Sequence, residues 1–381
     1  MHVGLDAHKK HTVGFIVHLD GRREGPFKFK TTKEELARRA GAWEGARVVV
    51  EASSTGKGVV RVLGELGVDA LLVHPDALMM TLRSKKTDET DAEHLALVSR
   101  LDALRVSYTP TFYEEGLRTL SRHRRDLTHR LTQLQVMAKS VLQRNLVEAP
   151  AGRLTRLSCR RRYQNLDLPS TEKFALKQIL NEIEFVANQR DVTKLQIMSQ
   201  TQDDEDIKLL LSIPGVDVMN AAMIKGELGD IRRFPSPKHA ASYAGLTPRT
   251  WQSGATSVTG RISKRGSPHL RHALVEAVHQ AQRYDGPIRQ TYRRLRPRIG
   301  TGKALVACAR RLVHVITAML KNREEYAGTQ TTDMTQIKRW RHHAITTCLG
   351  QGESAEALRL LLSQDPRREH QKWTSNHSGD S

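Results

Sequence analysis

The order of apolar runs in the first hundred residues restricts the fold of this chain more than any other feature. Two short runs, HVGLDAH and TVGFIVHLDG, and the alternating GPFKFKTT predict an antiparallel three-strand meander. A helical pattern follows, and Thr32 and Glu35 stand at capping-box spacing at its start. ARVVVEA and VDALLVHP predict buried strands, while TGKGVVRVLGELG and SKKTDETDAEHLALVSRL predict helices. Residues 1–110 are therefore expected to form an α/β domain, a mixed sheet with helices on its faces.

The rest of the chain predicts helices. Residues 111–208 contain two long segments with few helix breakers, and leucines recur at helical spacing in the first of them: Leu117, Leu120, Leu127, Leu131 and Leu134. This pattern favours two antiparallel, coiled-coil-like helices joined by an irregular basic connector. Residues 209–326 predict a mainly helical domain, and residues 327–381 a partly disordered extension with one weak helix, ESAEALRLLLSQ.

Charge is distributed unevenly along the chain. The formal net charge is +20, and residues 231–325 hold 19 Lys and Arg against 4 Asp and Glu, whereas residues 1–100 hold 16 against 14. This excess favours a polyanionic partner, with nucleic acid as the first candidate. The three cysteines lack C-x-x-C spacing, which predicts a reducing, cytoplasmic setting without a zinc ribbon. We expect neither a signal peptide nor a membrane span.

Four carboxylates have the placement that a metal site on a mixed sheet requires. Asp6 ends the first predicted strand, Glu51 ends the run ARVVV, and Asp88 and Asp91 lie three residues apart at the start of a helix. Metal-assisted cleavage of a phosphodiester uses such carboxylates to hold Mg²⁺. Three of these residues also have simpler structural interpretations. Asp6 could be a turn residue at the end of a strand, Asp88 a helix N-cap, and Asp91 a first-turn residue that interacts with the helix dipole. Glu51 is harder to explain without a partner, since it follows three buried valines.

The acidic blocks GLDAHK, VVVEASSTG and KTDETDA resemble those of the Piv/MooV-type recombinases, which are the transposases of the insertion-sequence one-ten family. The blocks LLLSIPGVDVMNAAMIKGELGDIRRF, ASYAGLTPRTWQSG and GRISKRGSPHLRHAL are similar to the C-terminal transposase domain of that family. The resemblance implies an RNase H-like (RuvC-like) first domain, in which Asp6, Glu51, Asp88 and Asp91 bind catalytic Mg²⁺, with Mn²⁺ as an alternative. This chain has Glu89 and Thr90 between the last two aspartates, where the family often has a basic residue.

Ser253 is the candidate nucleophile of the second half. It stands beside Gly254 in an expected loop, and the Ser-Gly residue types alone favour ordinary turn chemistry over a nucleophile. The resemblance implies a serine in this block that forms a phosphoserine link to DNA, and Ser257 and Ser263 are the nearby alternatives. The basic residues expected to hold nucleic acid around it are Arg249, Arg261, Lys264, Arg265 and Arg271.

The sequence therefore predicts a DNA transposase or recombinase that acts through metal-assisted phosphoryl transfer. The resemblance further implies a structured guide RNA and a homo-oligomer, a dimer or tetramer in which acidic site and serine meet across subunits. IPGVDVMNAAMIKGEL also predicts a helix-hairpin-helix-like element that could hold a phosphate. Three alternatives stay open at this stage: a RuvC-like Holliday-junction nuclease, a site-specific DNA invertase, and a non-catalytic nucleic-acid-binding protein.

Overall fold

The computed structural model describes residues 1–74, 87–102, 104, 106–253 and 256–327. The chain divides into two compact units, Met1–Pro110 and Thr111–Ser381. The predicted helical middle and the predicted C-terminal domain thus fall within one unit, and their division near residue 208 remains a prediction. The weak helix expected after residue 350 lies outside the described residues.

The first unit is built on a five-stranded mixed sheet with the strand order β3-β2-β1-β4-β5. Its strands are β1 His2–Ala7, β2 His11–Val17, β3 Arg23–Lys30, β4 Arg47–Glu51 and β5 Asp69–Val73; its helices are α1 Lys33–Ala40, α2 Ser54–Glu65 and α3 Asp88–Arg100. β1, β2 and β3 pair antiparallel as the meander, while β4 and β5 are parallel to β1. The α/β character and the mixed sheet predicted from the apolar runs are confirmed.

Helices cover both faces of this sheet. One face, which includes Leu5 and Val50, packs with residues of α1 and α2, among them Leu36 and Leu63. The other face packs against α3. On this side Ala92 of α3 belongs to one apolar cluster with Val13, Phe15 and Val17 of β2. Thr32 caps α1 by accepting a hydrogen bond from the backbone N–H of Glu35, as the capping-box spacing predicts.

The second unit is mainly helical. Its helices are α4 Phe112–Arg144, α5 Leu157–Gln164, α6 Ser170–Thr201, α7 Glu205–Leu211, α8 Val218–Leu228, α9 Pro237–Tyr243, α10 Pro268–Ala281, α11 Pro287–Ile299 and α12 Thr301–Asn322. None of the helices in the described residues combines the length and apolar composition needed to cross a membrane.

The two long helices α4 and α6 run antiparallel. Arg144, at the end of α4, pairs with Glu172 at the start of α6, and Arg130 pairs with Glu182 about three to four turns further in. Between them lies an apolar cluster that includes Leu134 and Ile183. The connector predicted to be irregular contains α5, because Cys159 and Tyr163 supply buried contacts to this cluster.

A two-stranded hairpin interrupts the helices of the second unit at a position where the sequence predicts a loop. β6 Pro248–Ser253 pairs antiparallel with β7 Thr256–Ile262. The segment is rich in Gly, Ser and Thr, which suggested turn chemistry, but its alternating Thr, Val and Ile residues support strands. Ser253 consequently ends a strand instead of standing within a long loop.

The predicted helix-hairpin-helix element corresponds to α7, the turn at Pro214–Gly215 and α8. Gly215 adopts a φ of +83°, and a Cβ on it would lie 2.5 Å from the backbone nitrogen of Ala281 at the end of α10. This glycine is therefore required both by its left-handed backbone and by the close approach of α10.

Candidate active site

The register of two neighbouring parallel strands places Asp6 beside Glu51. Leu5 of β1 pairs with Val50 of β4, so Asp6 and Glu51 are the next residues at the carboxyl ends of these strands. Leu5 and Val50 point into the α1–α2 side of the sheet. Because side chains alternate along a strand, those of Asp6 and Glu51 project from the opposite face, the one that α3 covers.

The helix α3 runs antiparallel to β1 and brings its first turn to this edge. At its far end Ser99 Oγ lies 2.8 Å from Nδ1 of His2, at the beginning of β1. In its middle the backbone of Ala92 lies directly over Gly4, where an added Cβ would be 2.0 Å from the Ala92 carbonyl oxygen. Gly4 thus permits an approach that a residue with a side chain would block.

The start of α3 is fixed by a capping box. The Thr87 hydroxyl accepts a hydrogen bond from the N–H of Thr90, and the Thr90 hydroxyl accepts one from the N–H of Thr87. Asp88 and Asp91 consequently lie in the first turn, where the helix dipole favours negative charge. Asp91 is buried at 5% exposure, while Asp88 is exposed.

Three side chains converge at the edge of the sheet. Nε2 of His8 lies 3.0 Å from Oδ2 of Asp6 and 3.5 Å from Oδ1 of Asp88. One potential ligand atom from each of the three lies within 4.8 Å of the others. Of the four predicted carboxylates, Asp6 and Asp88 belong to this group of three, whereas Glu51 and Asp91 do not.

His8 was not predicted from the sequence. It follows Asp6 by two residues, directly after β1, and it is the histidine of the block GLDAHK. Its spacing alone is a weak signal, because histidines after strands are common and nothing local points to Asp88, eighty positions along the chain. Its role becomes visible only once α3 is docked on β1.

The electrostatics of the site reflect the crowding of negative charge. Burial raises the pKa of the Asp6 carboxyl, and the charges of Asp88 and Asp91 raise it further, while His8 opposes the shift. Burial works against protonation of His8, but attraction and hydrogen bonding to Asp6, together with Asp88, outweigh burial and raise its pKa. Such a set of carboxylates is one that a cation would stabilise.

The donor set fits a hard divalent cation. Mg²⁺ and Mn²⁺ take carboxylate oxygens, and Mg²⁺ keeps several waters, so a site with few protein ligands suits it. Asp6 and Asp88 supply such oxygens, and the 58% exposed side chain of His8 lies between them, where a cation would compete with it. Asp88 is exposed at this edge of the sheet.

Ser253 is placed by its hairpin. It is the last residue of β6 and pairs with Thr256 across the tip, whereas Ser257 pairs with Gln252 one position further in. Ser263 directly follows β7, and its carbonyl oxygen accepts a hydrogen bond from Arg249 at 3.2 Å. Among the three candidate serines, Ser253 therefore stands nearest the tip of the hairpin on its first strand.

The predicted basic residues separate into two groups. Lys264 and Arg265 are exposed at the base of the hairpin, and Arg261 lies on β7. Arg271 instead donates to the carbonyl oxygen of Ala244 at 3.2 Å and approaches that of Lys264 at 3.5 Å. Its guanidinium therefore links two backbone segments, and its contact with nucleic acid stays a prediction.

Two arginines of CRRRY, the basic segment at residues 159–163 within the predicted connector, also contact the protein itself. In CRRRY, Arg160 is 5% exposed and pairs with Glu184, and it donates to the carbonyl oxygen of Thr155. Arg162 donates to the carbonyl oxygen of Ala151. These two guanidiniums are thus engaged by the protein itself.

A buried ionic cluster supports the base of the hairpin and was not predicted. Glu227 of α8, 1% exposed, accepts two hydrogen bonds from Arg122 of α4, at 2.7 and 3.0 Å, and one from the Ser267 hydroxyl, at 2.8 Å. Arg118 donates to the carbonyl oxygens of Gly226 and Glu227. Burial opposes ionisation of Glu227, but the hydrogen bonds from Arg122 and Ser267 outweigh it and lower its pKa.

Comparison with known proteins identifies the class as the transposases of insertion sequences. A model described as "Transposase IS116/IS110/IS902 family" matches residues 207–293, and the DEDD transposase model of the IS110 type matches residues 3–146. The chain belongs to the IS110/IS116/IS902 transposase family, whose members cleave and rejoin DNA. The resemblance noted in the sequence is thereby confirmed.

Several curated relatives extend along most of the chain. The transposase for insertion sequence element IS1111A of Coxiella burnetii is 25% identical over 73% of this chain and 79% of its own length. The transposase for IS1328 of Yersinia enterocolitica is 23% identical over 61% of this chain and 69% of its own length. An uncharacterized 43.6 kDa protein of insertion element IS110 from Streptomyces coelicolor is 33% identical over 40% of this chain and 38% of its own length.

Proposed function

We propose that this transposase cleaves DNA at a Mg²⁺-dependent acidic site, Asp6, Glu51, Asp88 and Asp91, and exchanges strands through a phosphoserine link at Ser253. The observation that carries the acidic half is the meeting of Asp6 and Asp88 beside His8, next to Glu51 in the strand register. The strand order and the placement of α3 support an RNase H-like fold for the first unit.

In the proposed site each carboxylate has a defined task. Asp6 and Asp88 would hold the cation, while Glu51 on the neighbouring strand and Asp91 on the buried side of α3 would add negative charge. The bound cation supplies charge stabilisation to the phosphoryl group that is being transferred. The raised pKa of Asp6 supports this assignment, because a cation would return that carboxyl to its ionised form.

The serine step conserves a phosphoester bond. The Ser253 oxygen bonds to phosphorus, the bond between phosphorus and one strand's oxygen breaks, and the hydroxyl proton passes to the departing strand end. A hydroxyl of another strand then attacks the phosphoserine and restores Ser253, so that rejoining needs no external energy source. Support for Ser253 comes from its position at the hairpin tip and from the family resemblance of its block.

The partners follow from the same proposal. DNA of the element ends and target is the substrate, a structured non-coding RNA is the guide, and the protein assembles as a dimer or tetramer in the bacterial or archaeal cytoplasm. The net charge of +20 supports polyanionic partners, and Mn²⁺ could replace Mg²⁺ at the carboxylates.

A strand-exchange assay tests the proposal. Joined element ends and the transcribed flanking RNA are incubated in Mg²⁺ with wild type, Asp6→Ala and Ser253→Ala, and denaturing gels detect a protein–DNA adduct. Both variants should lower product formation about 1,000-fold or more, and the adduct should vanish in Ser253→Ala. Asp69→Ala is the matched control, because Asp69 pairs with Arg47 at the opposite end of the same sheet.

Two results would contradict the assignment. Cleavage that survives Ser253→Ala but is lost in Asp6→Ala would indicate a nuclease that uses water, as in a junction resolvase. An adduct that is lost only in Ser257→Ala or Ser263→Ala would move the nucleophile to that serine.

A further inference from the structure

A long segment of the second unit contains positive charge only. Between Asp285 and Glu324 the sequence has ten Lys and Arg and no Asp or Glu. The segment includes α11 and α12, and α11 alone contributes five arginines. A segment of this length that has positive side chains and no carboxylates attracts a polyanion.

A cleft of about 520 Å³ opens beside α11 and the start of α12. It is lined by Gln282, Arg289, Tyr292, Arg293, Arg296, Pro297, Gly300 and Thr301. Arg289 is held by an ion pair with Asp285 at 2.5 Å. Among the described residues no carboxylate lies within ion-pair distance of Arg293 or Arg296, so both guanidiniums are available to a ligand.

The cleft is held by a fixed scaffold. Tyr292 is buried, and Ile288 and Leu295 of the same helix pack against the core of the second unit. The exposed Arg293 and Arg296 are therefore carried on an anchored helix. Gly300 and Thr301 bring the start of the 22-residue helix α12 to the cleft, and the positive end of its dipole adds to the field of the arginines.

We propose that this cleft, with Arg293 and Arg296 as its principal ligands, holds the phosphodiester backbone of the DNA on which the transposase acts. Guanidinium groups match phosphate oxygens in charge and in bidentate geometry. We assign DNA as the occupant of the cleft because the family cleaves and rejoins DNA. The match to the C-terminal family model ends at residue 293, so half of the lining residues lie beyond it.

The inference rests on the transposase class and not on the serine chemistry proposed above. It names where DNA is held, and it assigns no step of the reaction to these arginines. Contacts of this kind position the duplex without reading its sequence.

Binding of a random-sequence duplex of about 40 base pairs tests the cleft. Fluorescence anisotropy is measured on the full chain in EDTA at several salt concentrations, which separates binding from metal-dependent cleavage. For Arg293→Gln/Arg296→Gln the slope of log K against log salt should shrink by about 1.8, since each phosphate contact accounts for about 0.9. Affinity at 0.15 M salt should fall roughly 30-fold by the same relation.

Arg130→Gln/Arg144→Gln is the matched control, because it removes the same charge from exposed arginines already paired with Glu182 and Glu172. It should leave the slope nearly unchanged. If both double variants changed the salt dependence equally, DNA binding would depend on the total charge of the protein and not on the cleft, and the proposal would be overturned. Loss of binding to an RNA hairpin of matched length, with duplex DNA binding intact, would overturn it in favour of an RNA site.

Discussion

At the scale of single residues, Gly4 determines whether the acidic site can form. A glycine inside a strand normally weakens it, because it packs no side chain and costs more backbone entropy. In β1 the same glycine lets the backbone of α3 approach at Ala92 and Ala96, which brings Asp88 to Asp6. A substitution at this position therefore acts on both stability and the site.

Gly4→Ala should destabilise the first unit by about 3 kcal/mol or more and abolish DNA cleavage. The new Cβ would lie 2.0 Å from the carbonyl oxygen of Ala92 and 2.6 Å from the nitrogen of Ala96, and backbone atoms cannot yield as a flexible side chain can. Urea unfolding followed by circular dichroism, with the cleavage assay in parallel, measures both effects.

Gly58→Ala supplies the opposite expectation within the same unit. Gly58 lies in the exposed middle of α2, and nothing lies within 4 Å of an added Cβ. This variant should gain about 0.5–1 kcal/mol from helix propensity. A Gly4→Ala protein as stable and active as wild type would refute the close packing of α3 on β1.

The acidic residues were the most predictable part of the site. Strand ends and helix starts can be identified from apolar runs and capping residues, so the expected positions of Asp6, Glu51, Asp88 and Asp91 follow from the topology. His8 and Glu227 were missed because one decisive partner of each, Asp88 for His8 and Arg122 for Glu227, lies far away in sequence. Only the docking of α3 on β1, and of α8 on α4, brings those partners within hydrogen-bonding distance.

At the scale of elements, Glu227 joins three helices of the second unit. Its carboxylate on α8 receives Arg122 from α4 and Ser267, the cap of α10. Ser267 also follows the hairpin that carries Ser253, so the base of that hairpin is tied to the helical core. A buried carboxylate in this position is costly unless all its partners are present.

Glu227→Gln should destabilise the second unit by roughly 3 kcal/mol at pH 7, because it leaves the Arg122 charge without its carboxylate. The pKa of Glu227 is lower in the folded protein than its unfolded value of about 4.3. Ionised Glu227 therefore contributes to the free energy of unfolding at pH values above about 4.3, and this contribution is lost as the pH falls through the folded pKa. The difference between wild type and variant should therefore shrink on acidification below about pH 4.

Urea unfolding at pH 7 and in acid checks both the size and the sign. Glu182→Gln is the control, since its pair with Arg130 is exposed and should be worth less than about 1 kcal/mol. A Glu227→Gln deficit that grows in acid would show that the carboxyl is not stabilised in its ionised form.

Prediction was weakest for the hairpin β6–β7. Glycine, serine and threonine around residue 253 are typical of turns, and the local pattern is too short to distinguish a loop from paired strands. Pairing of Pro248 with Ile262 and of Trp251 with Val258 depends on contacts between the two strands, which the residue pattern within either strand does not show. The helices, in contrast, were largely predictable because their apolar spacing is repeated over several turns.

At the scale of the whole molecule, the two units have separate hydrophobic cores. Leu63 is fully buried in the core of the first unit, and Leu274 in that of the second. Each unit can therefore lose its packing as a cooperative block.

Leu63→Ala and Leu274→Ala should each lower a different calorimetric transition of the full chain. Each substitution removes buried methyl groups and should cost about 2–5 kcal/mol in its own unit. Differential scanning calorimetry resolves the two transitions, and an exposed Leu146→Ala serves as control. A single transition lowered equally by both core variants would mean that the units unfold as one.

The docking of α3 on β1 also has a consequence in time. During synthesis Asp6 leaves the ribosome about 85 residues before Asp91, which corresponds to roughly 4–17 s at 5–20 residues per second. Throughout that interval the nascent chain carries only part of the carboxylate set and cannot assemble the edge around His8. The acidic edge can therefore form only after the segment that carries Asp88 and Asp91 has been synthesised.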